Sequence, residues 1–129
     1  MIILKQEAIE SINRQLALPF SGLEQDWDIE MANSARVREF VNFYQRGSIS
    51  DFLSKEEKKA LMALIVASYD DFLNDQNATD AGLWVQISTL IFQELDLFTQ
   101  IIDYWSLKND NTGQDHFRVT PLFRQLKGI

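Results

Sequence analysis

Residues 80–107 read DAGLWVQISTLIFQELDLFTQIIDYWSL. Gln86, Thr89, Gln93, Asp96, Gln100 and Asp103 follow one another at steps of three and four residues, a narrow polar stripe with helical spacing. Leu83, Trp84, Ile87, Leu90, Ile91, Leu95, Phe98, Ile101, Ile102 and Trp105 fill most of the remaining circumference. The spacing predicts one continuous helix over 80–107, opened by Thr79 or Asp80 as N-cap. A helix with so wide an apolar sector is usually contacted on several sides, so this one is expected to be central. Each large side chain that it buries fully stabilises by roughly 1.5–3 kcal/mol.

Working outward, the preceding helix has the clearest start in the chain. Ser54-Lys55-Glu56-Glu57 is a capping box: the serine hydroxyl can accept the Glu57 N–H while the Glu57 carboxylate reaches back. Leu61, Leu64, Ile65, Ser68, Tyr69, Phe72 and Leu73 then trace one face to about Asn74, and 77–80 make a polar break. Its lysines (Lys55, Lys58, Lys59) stand near the start and its aspartates (Asp70, Asp71, Asp75) near the end. Both placements oppose the helix dipole, at a cost of ~0.3–1 kcal/mol each where exposed. A first helix is expected over 4–18, with Ala8, Ile9, Ile12 and Leu16 inward, stopped by Pro19 and the Ser21-Gly22 turn. A second is expected over 29–46, with Val37, Phe40, Val41 and Tyr44 inward and Gly47 as C-cap. After a loop over 108–115 and a short extended piece over 116–119, Thr120-Pro121 opens a terminal helix to Leu126. The fold class is all-α: a bundle of about five helices forming one domain over residues 1–129.

Composition supports that class and narrows the partners. The chain is 46% hydrophobic and 12% aromatic, with two prolines and no cysteine. Disorder, disulfide scaffolds and thiolate zinc sites are excluded. Nineteen acids against twelve bases give a net charge of −7, which repels nucleic acid and anionic membrane. An acid, Glu7, arrives before any long apolar stretch, so no secretory signal is expected, and no apolar run is long enough to span a bilayer. The expectation is a cytoplasmic protein without a cofactor.

Between Lys59 and Lys108 there is no basic residue, while Asp70, Asp71, Asp75, Asp80, Glu94, Asp96 and Asp103 fall inside that interval. Such a field destabilises a compact body by self-repulsion and attracts a cationic partner. A second acidic group, Glu24, Asp26, Asp28 and Glu30, surrounds Trp27. It has two readings: carboxylates favouring the N-terminus of the helix that follows, or an exposed ring among acids that grips a basic surface. On the second reading the candidate partner-binding residues are Glu24, Asp26, Trp27, Asp28, Asp70, Asp71 and Asp75.

No catalytic or metal signature competes. His116 is the only histidine, so neither a histidine-based triad nor paired Glu-x-x-His ligands can form. Asp96 and Asp103 share a face of the expected helix at a rise of about 10.5 Å, too far for a retaining carboxylate pair though not outside inverting distances, and an exposed stripe explains them better. Asp75-x-Asn77-x-Thr79 has calcium-loop spacing but meets Asp80 where glycine is needed and Gln86 where glutamate is needed. There is no phosphate-cradling glycine motif.

Segments such as Trp105-Ser106-Leu107-Lys108-Asn109 and Phe117-Arg118-Val119-Thr120-Pro121 sit within a small, acidic, cysteine-free, all-helical chain. In that overall character it resembles the immunity proteins of bacterial toxin–immunity systems, especially those of contact-dependent growth inhibition. The resemblance implies a cytosolic protein that binds the C-terminal toxin domain of a delivered effector and blocks its active site. It implies a basic partner, often a nuclease, and no enzymatic activity. The alternative is a non-catalytic helical adaptor or regulatory module, homo-oligomeric through exposed aromatics. An enzyme built on Asp96, Asp103 or His116 is the third and weakest reading.

Overall fold

The computed structural model describes residues 2–19, 26–76, 81–106 and 118–126. Helices there are α1 (Gln6–Leu16), α2 (Trp27–Glu30), a 3-10 turn (Ser34–Arg36), α3 (Val37–Ile49), α4 (Lys55–Gln76), α5 (Ala81–Gln93), α6 (Thr99–Trp105) and α7 (Thr120–Leu126). No strand occurs among the described residues, and the fold is all-α. The Ser21-Gly22 turn, the 77–80 break, the 108–115 loop and His116 lie outside the described residues. Arg118 and Val119, the end of the expected extended piece, form a turn.

The central helix is α4, not the 80–107 segment. Every residue from 60 to 69 is buried, so α4 is enclosed on all sides, and α1, α2, the 3-10 turn and α3 all pack on it. Met62, Ala63, Val66 and Ala67, off the expected face, are buried as deeply as Leu61 and Ile65. An apolar circumference marks a core helix. Its start follows the expected capping box: the Glu57 N–H donates to Ser54 Oγ at 3.1 Å and the Ser54 N–H to Glu57 Oε1 at 2.8 Å. The other carboxylate oxygen accepts from the Ser11 hydroxyl and, at 3.3 Å, from Gln15, so the same box ties α1 to α4. Burial pushes the Glu57 carboxyl upward, but these hydrogen bonds outweigh it and hold the group below its ordinary value.

The expected 80–107 helix is broken. After α5, N–H groups of Glu94, Leu97 and Phe98 donate to carbonyls three residues back, at 3.0–3.2 Å, and regular winding resumes only at Thr99. The tighter turn seats Phe98 in the core against the Tyr44 ring at 6.3 Å, while Lys58 on α4 pairs with Glu94 at 2.9 Å. Asp96 and Asp103 therefore do not share one continuous helix.

The expected 29–46 helix is broken too. Asn33 is extended, and its side chain accepts the Ala35 N–H at 2.9 Å, resetting the helix start. The Asn33 N–H donates to buried Ser68 Oγ at 3.0 Å, which fixes the break against α4. At the other end, Gly47 lies inside α3 and is not its C-cap. The left-handed residue is Asp51, at φ 58°, and the Phe52 N–H returns to the Gly47 carbonyl at 3.1 Å. Glycine is needed at 47 for space, since an added Cβ would run into the buried Leu53 side chain. Gly47→Ala is therefore expected to destabilise by about 1–2 kcal/mol, the overpacking exceeding the gain in helix propensity. Chemical denaturation checks this, and a stabilised variant would contradict it.

Ring contacts tie in the remaining helices. Trp84 on α5 stacks on Tyr69 of α4 at 5.9 Å and meets Phe123 of α7 at 5.4 Å.

Candidate functional site

Trp27 corrects the expectation of an exposed ring. It is 3% exposed, belongs to the core, and its indole Nε1 donates to Asn13 Oδ1 at 2.8 Å. The ring pins α2 to α1, so it cannot serve as an exposed aromatic grip. Asp26 is exposed and Asp28 partly buried, while Glu24 lies outside the described residues. Burial pushes the Asp28 carboxyl above its ordinary value; Asp26 adds to this, and backbone N–H groups of Asp28 and Ile29 oppose it. Tyr104 on α6 is raised by its own burial and then by the charges of Asp28 and Asp26. The two aspartates thus form a local negative patch beside α6.

The second acidic group lies in the last turns of α4. Asp70 serves the fold itself. Its Oδ1 accepts the Val119 N–H at 3.0 Å, capping α7 where that helix meets α4. Burial raises its pKa, against the lowering effect of the Val119 and Arg118 N–H groups and the Arg118 charge. Nearer its other end α7 is held by Arg124, whose Nε donates to the Ser106 carbonyl at 3.0 Å. Asp75 is exposed and accepts the Ser34 hydroxyl at 2.9 Å. Asp71 lies between them. Its carboxyl is raised by partial burial, then by the charges of Asp70 and Asp75. No hydrogen bond or ion pair joins it to another described residue, so two of its three perturbing influences are fellow acids.

At this end of α4 the Arg118 charge acts on Asp70 and Arg38 lies over Phe72, while the lysines of the helix stand at its start. Lys58 pairs with Glu94 at 2.9 Å and Lys59 with Glu56 at 3.5 Å, both near the start of that helix. Arg36 pairs with Glu39 at 2.7 Å and holds that carboxyl below its ordinary value. Three arginines also lie over rings: Arg36 on Phe40, Arg38 on Phe72 and Arg46 on Phe43, at 5.1, 5.9 and 5.8 Å. Glu39, Glu56 and Glu94 are thus paired with bases, whereas the charges that act on Asp71 are those of Asp70 and Asp75.

Among the described residues, no group of three or more histidine, aspartate or glutamate side chains is arranged to hold a metal ion. No helix among them is long and apolar enough to cross a membrane. The apolar set expected for the 80–107 segment omits Val85 and Phe92, and both are exposed, at 59% and 55%. Their seven-residue separation, alongside Gln86, Thr89 and Gln93, is the sequence signal that places them on the outer face. Compared with known protein families, characterised proteins and solved structures, the chain matches none.

Proposed function

We propose that this chain is a non-catalytic inhibitor that captures a basic protein domain, in the manner of an immunity protein that covers the active site of a toxin, with a nuclease as the favoured target. The observation that carries the reading is the Asp71 cluster. The charges of Asp70 and Asp75, within two turns, both act on the Asp71 carboxyl, in a helix whose lysines stand at the far end. Repulsion of this kind raises the energy of the free protein and is relieved when a cation arrives. Asp26 and Asp28 extend the negative surface at a second point. A rigid helical body with this charge suits fast capture, because electrostatic steering raises association rates by ~10–10³. The site has Asp71 and Asp75 as its principal contacts, Asp26 and Asp28 as secondary ones, and Asp70 as the residue that holds the neighbouring helix in place.

The test is association with the toxin domain encoded beside this chain, followed at low and high ionic strength. Binding whose on-rate falls steeply with salt, together with loss of toxin activity, supports the proposal. Absence of a neighbouring toxin gene, or binding indifferent to salt, contradicts it.

A further inference from the structure

The outer face of α5 bears apolar side chains that the core does not use. Val85 is 59% exposed, Phe92 55%, and Leu95, in the turn that follows, 42%. Gly82, Gln86, Thr89 and Gln93 are exposed among them. No residue of α5 is charged, in a chain that is 24% charged with a net charge of −7. The hydroxyls of Ser88 and Thr89 donate to the Val85 carbonyl at 3.3 and 2.6 Å. Covering the face would therefore strand neither hydroxyl as an unpaired donor.

We infer that this face joins two copies of the chain, α5 against α5, antiparallel about a two-fold axis that passes between Ser88 and Thr89. Electrostatics selects the occupant. Two bodies of charge −7 repel one another, and they approach at least cost through a surface that carries no charge. A basic partner finds no complementary charge on α5. Spacing then selects the arrangement, because an isologous contact requires residue i to meet j and j to meet i. Positions 85 and 92, both within α5, are equidistant from the axis. Val85 thus lies against Phe92 of the second copy. Glu94 and Asp96 fall at the rims rather than the centre. The pairing stands independently of the inhibitor reading, and its salt dependence has the opposite sign.

Sedimentation velocity on the full chain, over a concentration series at low and high salt, tests it. The expected result is a reversible monomer–dimer equilibrium that tightens as salt screens the repulsion between copies. Phe92→Asp, at an exposed position where far-UV circular dichroism should remain unchanged, is expected to weaken the dimer at least about 30-fold. Adding Val85→Lys to Phe92→Asp should restore much of that loss, since across the axis each new lysine faces a new aspartate. A chain that stays monomeric up to about 1 mM overturns the inference. So does a dimer indifferent to Phe92→Asp, or a double variant no tighter than the single one.

Discussion

Trp27→Ala should lower folding stability by about 3–5 kcal/mol, the range for deleting a buried aromatic side chain. The indole is 3% exposed and is the link between α2 and α1. Its removal leaves a cavity and also strands the Asn13 Oδ1 atom, on a side chain only 8% exposed whose Nδ2 has no hydrogen-bond partner among the described residues. Trp27→Phe separates the two contributions. It preserves much of the packing but abolishes the N–H donor, and should cost about 1–3 kcal/mol. Since a small domain is stable by only about 5–15 kcal/mol, the alanine variant sits near the edge of folding. Urea denaturation with an unchanged slope measures both. A loss below about 1 kcal/mol for Trp27→Ala would return the ring to the surface and restore it as a contact residue.

Charge reversal at the end of α4 carries the largest expected effect on binding. Asp71→Lys combined with Asp75→Lys should slow association with a cationic partner at least about tenfold at low salt. The difference should shrink as salt screens the field, while the dissociation rate changes less. Both positions suit the test structurally. The Asp71 carboxylate makes no hydrogen bond or ion pair with another described residue, and exposed Asp75 has, among the described residues, the Ser34 hydroxyl to lose, at about 0.5–1.5 kcal/mol. Asp70 is unsuitable, because its replacement uncaps α7 and confounds binding with folding. Stopped-flow mixing at two ionic strengths gives the answer. Equal rates for the parent and the doubly reversed protein would remove this end of α4 from the binding surface.

The all-α class and the α4 start are legible in the sequence because each rests on local chemistry. A capping box needs only Ser54 and Glu57 at the right spacing, and both of its hydrogen bonds are present. The centre of the fold is harder to read, because the apolar circumference that matters belongs to another helix than the one that displays it most. Residues 60–69 are buried all round, yet Ala60, Ala63 and Ala67 are small and do not stand out beside the tryptophans of 80–107. The two helix breaks are hidden because tertiary contacts enforce them. Asn33 is anchored to Ser68 and Glu94 to Lys58, both partners lying more than thirty residues away. Gly47 has a similar explanation: its role depends on Leu53 packing back on α3.

For the candidate site, the excess of acids is legible, but the part played by each is not. Asp70 caps a helix through Val119, 49 residues further along the chain, which no local pattern announces. Trp27 among Asp26, Asp28 and Glu30 has the composition of a surface grip, yet one hydrogen bond to Asn13 and the close packing around the ring place it inside. Asp71 differs from both neighbours in that no described residue holds its carboxylate.

Titration of the Asp71 carboxyl by NMR therefore bears most directly on the claim that this end of α4 holds uncompensated negative charge. The expected midpoint lies above the ordinary 3.8, because burial and the charges of Asp70 and Asp75 all disfavour ionisation. The sign for stability follows from the same shift. The folded state holds this proton more tightly than the unfolded chain, so the group destabilises the fold near neutrality. That stability returns as pH falls through the raised midpoint towards 3.8. Added salt should draw the midpoint back downward as the neighbouring carboxylates are screened. A midpoint at or below 3.8, insensitive to salt, would mean that a cation within the chain already neutralises Asp71 and leaves nothing there for a basic partner to satisfy.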